Sequence, residues 1–350
     1  MQFSQTLWQG PASDFNRLDV YPWMEPLLER KDIHCSFWCH WNTPDLPNGY
    51  EYYLVTYHIE TIALDWIKNQ KVSGKIIVVF PGRDYDLKIP GVTFIGYTEL
   101  HNDLNKMIDW FGVEETKDTK QYKFSTVCNR VSQGKVWTTT QVLESEPNSL
   151  VILNPEWIEG KNVHNWELTG FDFLDNLTNT FREKYINLKL SDGFKDFSDQ
   201  QLNSNPWQPL YTDTALHIVA GSFHYSYMGD YTYPGPDIDE KTLKCLLGGV
   251  PFLPGMQFEV YDYLSSFGLR FDYDFDTSFD SDPGNLTRFQ KLCILIDELS
   301  NWSINDIVAA TKSATEHNKQ HIVSGEFAKQ CEAYNQLQVE KIYDELSTRS

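Results

Sequence analysis

Glu240 and Lys241 follow a segment that cannot be regular structure, because Pro234-Gly235-Pro236 excludes both a helix interior and a central strand. Asp239 is an N-cap residue type, and Leu243, Leu246 and Leu247 recur at helical spacing. A short helix is therefore expected to start here and to end at Gly248-Gly249. Val250 to Leu253 then reads as a short buried strand closed by Pro254. Such a helix start offers unpaired N–H groups and a partial positive charge, which suits a phosphate. Lys241 would add a full charge, Glu240 could accept hydrogen bonds from a ribose, and Tyr231 and Tyr233 would wall a base or sugar. An ordinary capped helix with a solvated Glu-Lys pair has the same spacing, so the pattern alone does not separate the two.

A second group could move a proton. His58 and Glu60 follow an aromatic, β-branched stretch at a strand's carboxyl end, where open α/β sheets bind ligands. Histidine titrates near neutrality, and Glu60 could orient or assist it. Asp45, in the loop His40-Trp-Asn-Thr-Pro-Asp-Leu-Pro47, is a comparable candidate. A strand-end histidine is also commonly structural, and the residues do not choose among the three. Cys35, Cys39 and His40 lack a second ligand pair at zinc-finger spacing. Asp272, Asp274, Asp276, Asp280 and Asp282 lack the EF-hand's glycine and terminal glutamate, and read as a solvated loop with alternating aromatic anchors. No metal site is expected.

The 350 residues suit two domains or one large one, and 41% hydrophobic content supplies a sizeable core. The formal charge of −20 opposes attraction of the whole surface to DNA or an anionic membrane, while leaving room for a local basic groove. Six spread cysteines give no disulfide framework, and free thiols are the simplest reading. Neither a signal peptide nor a membrane span is apparent.

Strands are expected at 33–41, 50–57, 76–80 and 92–97, with helices at 59–69 and 101–111. The alternation implies βαβ units and a parallel sheet. A charged linker at 112–121 would end this half. Beyond it, strands are expected at 122–128, 149–153 and 215–222. Residues 136–143 could be helix or strand, and 154–205 are weakly patterned. Helices are expected at 258–267, 286–299, 303–316 and 325–346.

The segment Tyr231 to Phe252, with Pro234-Gly235-Pro236, Glu240-Lys241-Thr242, Leu247, Gly249 and Pro251-Phe252, resembles the donor-binding segment of a group of phage glycosyltransferases. In outline it is similar to the Glu-Lys element of fucosyltransferases with the two-domain GT-B fold. Asn205 to Thr214, Phe267 to Asp276 and Asn285-Leu-Thr-Arg288 look like the same group, so the likeness runs from roughly Tyr122 to Asn335. Within that group the chain resembles T-even-like phage enzymes that glycosylate 5-hydroxymethylcytosine in DNA, the arabinosyltransferases in particular. One departure is Asp239, which stands where the family has threonine.

This resemblance implies an α/β chain with two Rossmann-like domains of GT-B type, a cleft between them and C-terminal helices. An acceptor domain would span 1–113 and a donor domain 120–350. The donor would be a UDP-sugar, bound without metal or resident cofactor, carrying a pentose such as arabinose. The acceptor would be 5-hydroxymethylcytosine in phage DNA, in the cytoplasm of the infected host cell, with no membrane partner. Arg130, in the family's Asn-Arg loop, and Lys135 would contact the diphosphate, and Tyr211 and Asp213 would lie near the donor. Asp45, His58 and Glu60 would be candidate bases if the reaction inverts the anomeric centre. The alternatives are a glycan or protein acceptor, or a phage protein that binds a nucleotide or partner without catalysis.

Overall fold

A computed structural model describes residues 22–38, 45–57, 64–83, 88–113, 119–128, 133–153, 168–186, 209–220, 236, 238, 240–255 and 258–347. The chain is mixed α/β with two parallel sheets, and it divides into two compact units. The first unit gathers residues 1–99, 233–237 and 330–350, and the second holds 100–232 and 238–329.

The first unit's sheet runs β1 (Ile33–Trp38), β2 (Tyr52–Tyr57), β3 (Lys75–Pro81) and β4 (Val92–Tyr97) in sequence order, every pair parallel. Parallel strands need crossovers, and α1 (Leu64–Asn69) lies between β2 and β3. Because side chains alternate, each strand feeds two cores. Leu54, Ile77, Val79 and Ile95 pack on one face with Met24, Leu27, Ile342 and Leu346. Tyr53, Val55, Ile76, Val78 and Phe80 pack on the other with Ile67 of α1. Burial on both faces explains the unbroken apolar run at 76–80.

The second unit's sheet has the order β6-β5-β7-β8, again all parallel, with β5 (Tyr122–Cys128), β6 (Leu150–Leu153), β7 (Thr214–Val219) and β8 (Phe252–Pro254). The order reverses between β5 and β7, because the chain leaves β5 for β6 on one side and returns to β7 on the other. Before this sheet comes α2 (Leu100–Phe111), which clusters with the second unit. The crossover from β5 to β6 is α3 (Gln133–Ser145), and α4 (Asp172–Thr180) with a π-turn at Phe181–Tyr185 follows β6. The one-turn α5 (Pro209–Thr212) precedes β7, and α6 (Glu240–Gly248) crosses from β7 to β8. Helices α7 (Val260–Ser265), α8 (Asn285–Ser300), α9 (Ile304–Val323) and α10 (Glu326–Ser347) complete the chain.

The undecided stretch 136–143 is helix. Its amphipathic signal is missing because α3 is buried on every side from Gly134 to Leu143. Trp137 donates its ring N–H to Thr178 Oγ1 at 2.9 Å, and Gln141 donates to Asp297 Oδ1 at 2.8 Å, which ties α3 to α4 and α8.

The alternation in the acidic run holds: Phe271, Tyr273 and Phe279 are buried, and Asp272, Asp274 and Asp276 are exposed. Asp280 departs from it. It is 2% exposed, and its carboxylate accepts the backbone N–H groups of Val260 at 3.2 Å and Tyr261 at 2.8 Å. These bonds cap α7 and begin it at Val260, two residues after the expected start. Glu259, the N-cap residue, takes a left-handed φ of 57°.

Burial pushes the Asp280 carboxyl from 3.8 up to about 6, against the lowering effect of the two N–H groups. A raised folded value makes its stabilising contribution complete below about pH 4 and removes it as pH climbs through about 6. The melting temperature of the wild type, taken relative to Asp280→Asn, should accordingly fall between those limits. Integrated, the difference is about 2–3 kcal/mol. Melts across that range would refute this if the difference were flat or rose. Asp280→Ala leaves two buried N–H groups unpaired and should cost about 1–3 kcal/mol in the same assay.

Candidate functional site at the carboxyl edge of the second sheet

In an open α/β sheet, ligands settle outside the strands' carboxyl ends, at the point where strand order reverses. In the second unit that point lies between β5 and β7. A helix that crosses between parallel neighbours runs antiparallel to them, so its first turn lies at the carboxyl edge. Both α3 and α6 are such helices. They leave in opposite directions, and right-handed crossovers therefore place them on opposite faces with both N-termini beside the reversal.

Each first turn carries a lysine. Lys135 is the third residue of α3 and is 2% exposed, and Lys241 is the second of α6 and is 3% exposed. Burying an ammonium is costly unless it is paired. Lys241 Nζ donates to Glu240 Oε1 at 2.5 Å, and that carboxylate is itself largely enclosed. Lys135 also has interacting partners. Lys135 and the Glu240-paired Lys241 thus accompany two helix dipoles at one edge of one sheet.

Local sequence fixes α6 tightly. Gly249 has a φ of 64°, and Val250 N–H reaches back to the Cys245 carbonyl at 3.0 Å, closing the helix in a Schellman turn. Just past the carboxyl end of β8, Gly255 N–H bonds Val219 O at 2.8 Å. A Cβ on Gly255 would stand 2.5 Å from that oxygen and 3.6 Å from Thr138 of α3. The carboxyl ends of β7 and β8 are therefore drawn close, and only a glycine fits there.

Helix α2 packs against α6 within this unit. Its first turn carries Asp103, whose charge interacts with that of Glu240 and which lies 3.6 Å from Lys106 Nζ. Burial foremost, then Glu240, hold the Asp103 carboxyl above its ordinary range, and Lys106 opposes them.

The structure gathers Lys135, Glu240 and Lys241 at this edge. It places Tyr211 elsewhere. Tyr211 lies on α5, ahead of β7, at the amino edge of the sheet, and it is 1% exposed. Its ring packs 5.2 Å from His217 and under Lys244, whose Nζ is 5.9 Å from the ring centroid. This is a packing position, and the expected donor contact is corrected accordingly. Asp213 is beside it, buried, and its carbonyl accepts the N–H groups of Gln121 and Tyr122.

Asp45 is likewise away from the strands' carboxyl ends. In the first unit, Gln70 donates to Asp45 Oδ1 at 3.4 Å and accepts Leu46 N–H at 2.7 Å. Gln70 follows the C-terminus of α1, which lies at the amino edge of that sheet. His58, Glu60, Arg130, Tyr231, Tyr233 and Asp239 lie outside the described residues.

Among the described residues, no three His, Cys, Asp or Glu side chains converge as metal ligands, and no helix is long and apolar enough to cross a membrane. Burial pushes the Cys35 thiol up to about 12, which makes it a poor thiolate ligand. Comparison with protein-family models, with curated proteins and with solved structures returns no match.

Proposed function

We propose that the second unit binds a nucleoside-diphosphate sugar at the β5/β7 reversal, and that the chain is a glycosyltransferase of GT-B type. The observation that carries this reading is the pair of buried lysines, Lys135 and Lys241, each in the first turn of a crossover helix at that edge. A departing diphosphate needs positive charge where negative charge develops, and lysines and helix N-termini supply it. Glu240, adjacent to Lys241, suits a ribose diol. The resemblance of Tyr231 to Phe252 to phage glycosyltransferases names the finer partners: UDP as the nucleotide, a pentose such as arabinose, and the hydroxymethyl group of 5-hydroxymethylcytosine in phage DNA.

The net charge of −20 works against long-range attraction to DNA, so acceptor binding would depend on local contacts and would be weak away from modified bases. Mass spectrometry of 5-hydroxymethylcytosine DNA incubated with the protein and a panel of UDP-sugars tests donor and acceptor together. A gain of one pentose unit per modified base is the expected result. Stabilisation by UDP with no transfer to any acceptor would reduce the protein to a nucleotide binder. No stabilisation by UDP, GDP or ADP would end the reading.

A further inference from the structure

We propose that the second unit carries a further binding site, for a guanidinium cation, in a cleft at the corner where α8 turns into α9. The cleft has a volume of about 480 Å³ and is lined by Asp274, Asn301, Trp302, Asp306, Ala309 and Ala310. That is room for an organic group of side-chain size or larger, and more than a bare ion fills. Asn301 and Trp302 lie in the connection between the two helices, and Ala309 and Ala310 belong to α9. The facing wall is tied down: Asp274 N–H donates to the Ala310 carbonyl at 3.0 Å, and the Phe275 and Trp302 rings meet edge to face at 6.3 Å. None of these residues belongs to the diphosphate edge, so the site stands or falls independently of the transferase reading.

The polar groups of the cleft select the ligand. Asp306 Oδ2 accepts the N–H of Ser303 at 3.1 Å and its hydroxyl at 2.7 Å, which pins the carboxylate and leaves Oδ1 to accept. Asn301 Nδ2 donates to the Asp297 carbonyl at 2.9 Å, which leaves its Oδ1 to accept. Asp274 differs from its neighbours in the acidic run. Asp272 is held by Arg270 and Asp276 by Ser278, whereas the exposed Asp274 carboxylate has no partner among the described residues. No lysine or arginine is among the lining residues. Lys123 reaches the nearby Ser300 carbonyl at 2.6 Å, but it is paired with Glu146 at 2.9 Å. The cleft thus offers acceptors, two negative charges and the half-buried Trp302 indole. An anion is repelled by the charges, and a neutral sugar gains nothing from them. A cation gains from both the carboxylates and the indole face. A guanidinium is favoured over an ammonium because its planar fork matches the two open oxygens of Asp274 and its flat face stacks on an aromatic ring.

The test is calorimetric titration of the whole protein, at low and fixed ionic strength, with agmatine as a free guanidinium and N-acetyl-L-argininamide as a chain-borne one. Saturable binding of one equivalent is expected. Asp274→Asn should weaken it by about 10-fold and Trp302→Leu by about 3- to 10-fold. Asp272→Asn removes a carboxylate from the same run but outside the cleft, and should change the affinity by less than about twofold. N-acetyl-L-lysinamide should bind more weakly than its arginine counterpart, and glucose should not bind. Asp274 is exposed, so its variant should keep the wild-type melting temperature and decides the matter alone if Trp302→Leu fails to fold. Tighter binding of N-acetyl-L-argininamide than of agmatine would point to an arginine on a partner chain, and the reverse order to a free guanidinium compound; either order upholds the site. No saturable binding, equal weakening by Asp272→Asn, or lysine binding as tight as arginine would overturn the proposal.

Discussion

Lys241→Met should weaken UDP binding by about 10- to 100-fold. A hydrogen bond to a charged group contributes about 1.5–3 kcal/mol, and about 1.4 kcal/mol is tenfold in affinity. The loss should sit at the upper end for a specific reason. Lys241 is 3% exposed and neutralises Glu240 at 2.5 Å, so methionine leaves that carboxylate facing the incoming phosphate. The double variant Glu240→Gln, Lys241→Met separates the two effects. It should recover the repulsive part of the loss and keep the part due to the missing ammonium. Titration calorimetry with UDP at fixed salt measures both, and a dissociation constant within about twofold of wild type for Lys241→Met would remove this lysine from the site.

Gly248→Ala should be the most damaging single methyl group in the second unit. A Cβ at this position would lie 2.2 Å from the Tyr211 carbonyl oxygen, a backbone atom that no rotamer change can move aside. The last turn of α6 and the α5 turn approach so closely that only a hydrogen fits between them. Over-packing usually costs about 1–3 kcal/mol, and a clash with backbone belongs at or above the top of that range. Denaturant unfolding should show a lowered midpoint. A variant within about 0.5 kcal/mol of wild type would mean that the two turns separate freely. Gly325→Ala is a useful contrast: its Cβ would meet nothing within 4 Å, and the cost there is confined to a φ of 80°.

Much of the local architecture could be read from residue order. Strand β4 falls at Val92–Tyr97, and α6 runs Glu240–Gly248 between the expected cap and the glycine pair. These positions were legible because apolar runs, prolines and glycines act over a few residues. Helix α4 was not anticipated in the weakly patterned stretch, although Leu174, Leu177 and Phe181 do recur on one face. Its N-cap residue is Phe171, whose side chain cannot cap the helix and so does not announce it. Strand β8 begins two residues after its expected start because the Schellman turn occupies Val250.

The candidate site was half visible. The Glu240-Lys241 pair stood out through its loop and cap, and Lys135 through family resemblance. Tyr211 misled because an aromatic near a proline turn looks the same whether it faces a ligand or the core. The packing of α2 was hidden for a different reason. The helix reads as the end of the first βαβ run, yet it clusters with the second unit, and no local pattern encodes which partner a helix chooses.

The composition of the first unit has a bearing on how the chain is made. Ile342 and Leu346 of α10 sit in the same core as Met24, Leu27, Leu54 and Ile77, and Asn335 pairs both backbone groups of Thr98, at 2.9 and 2.7 Å. Synthesis proceeds from the N-terminus, and domains generally fold as units when their residues have emerged. Here a sheet within residues 33–97 waits for a helix that begins at Glu326, far downstream. On a translating ribosome the second unit can complete its core first, while β1 to β4 leave an apolar face uncovered until residues 330–347 appear, the interval in which a chaperone would be needed most.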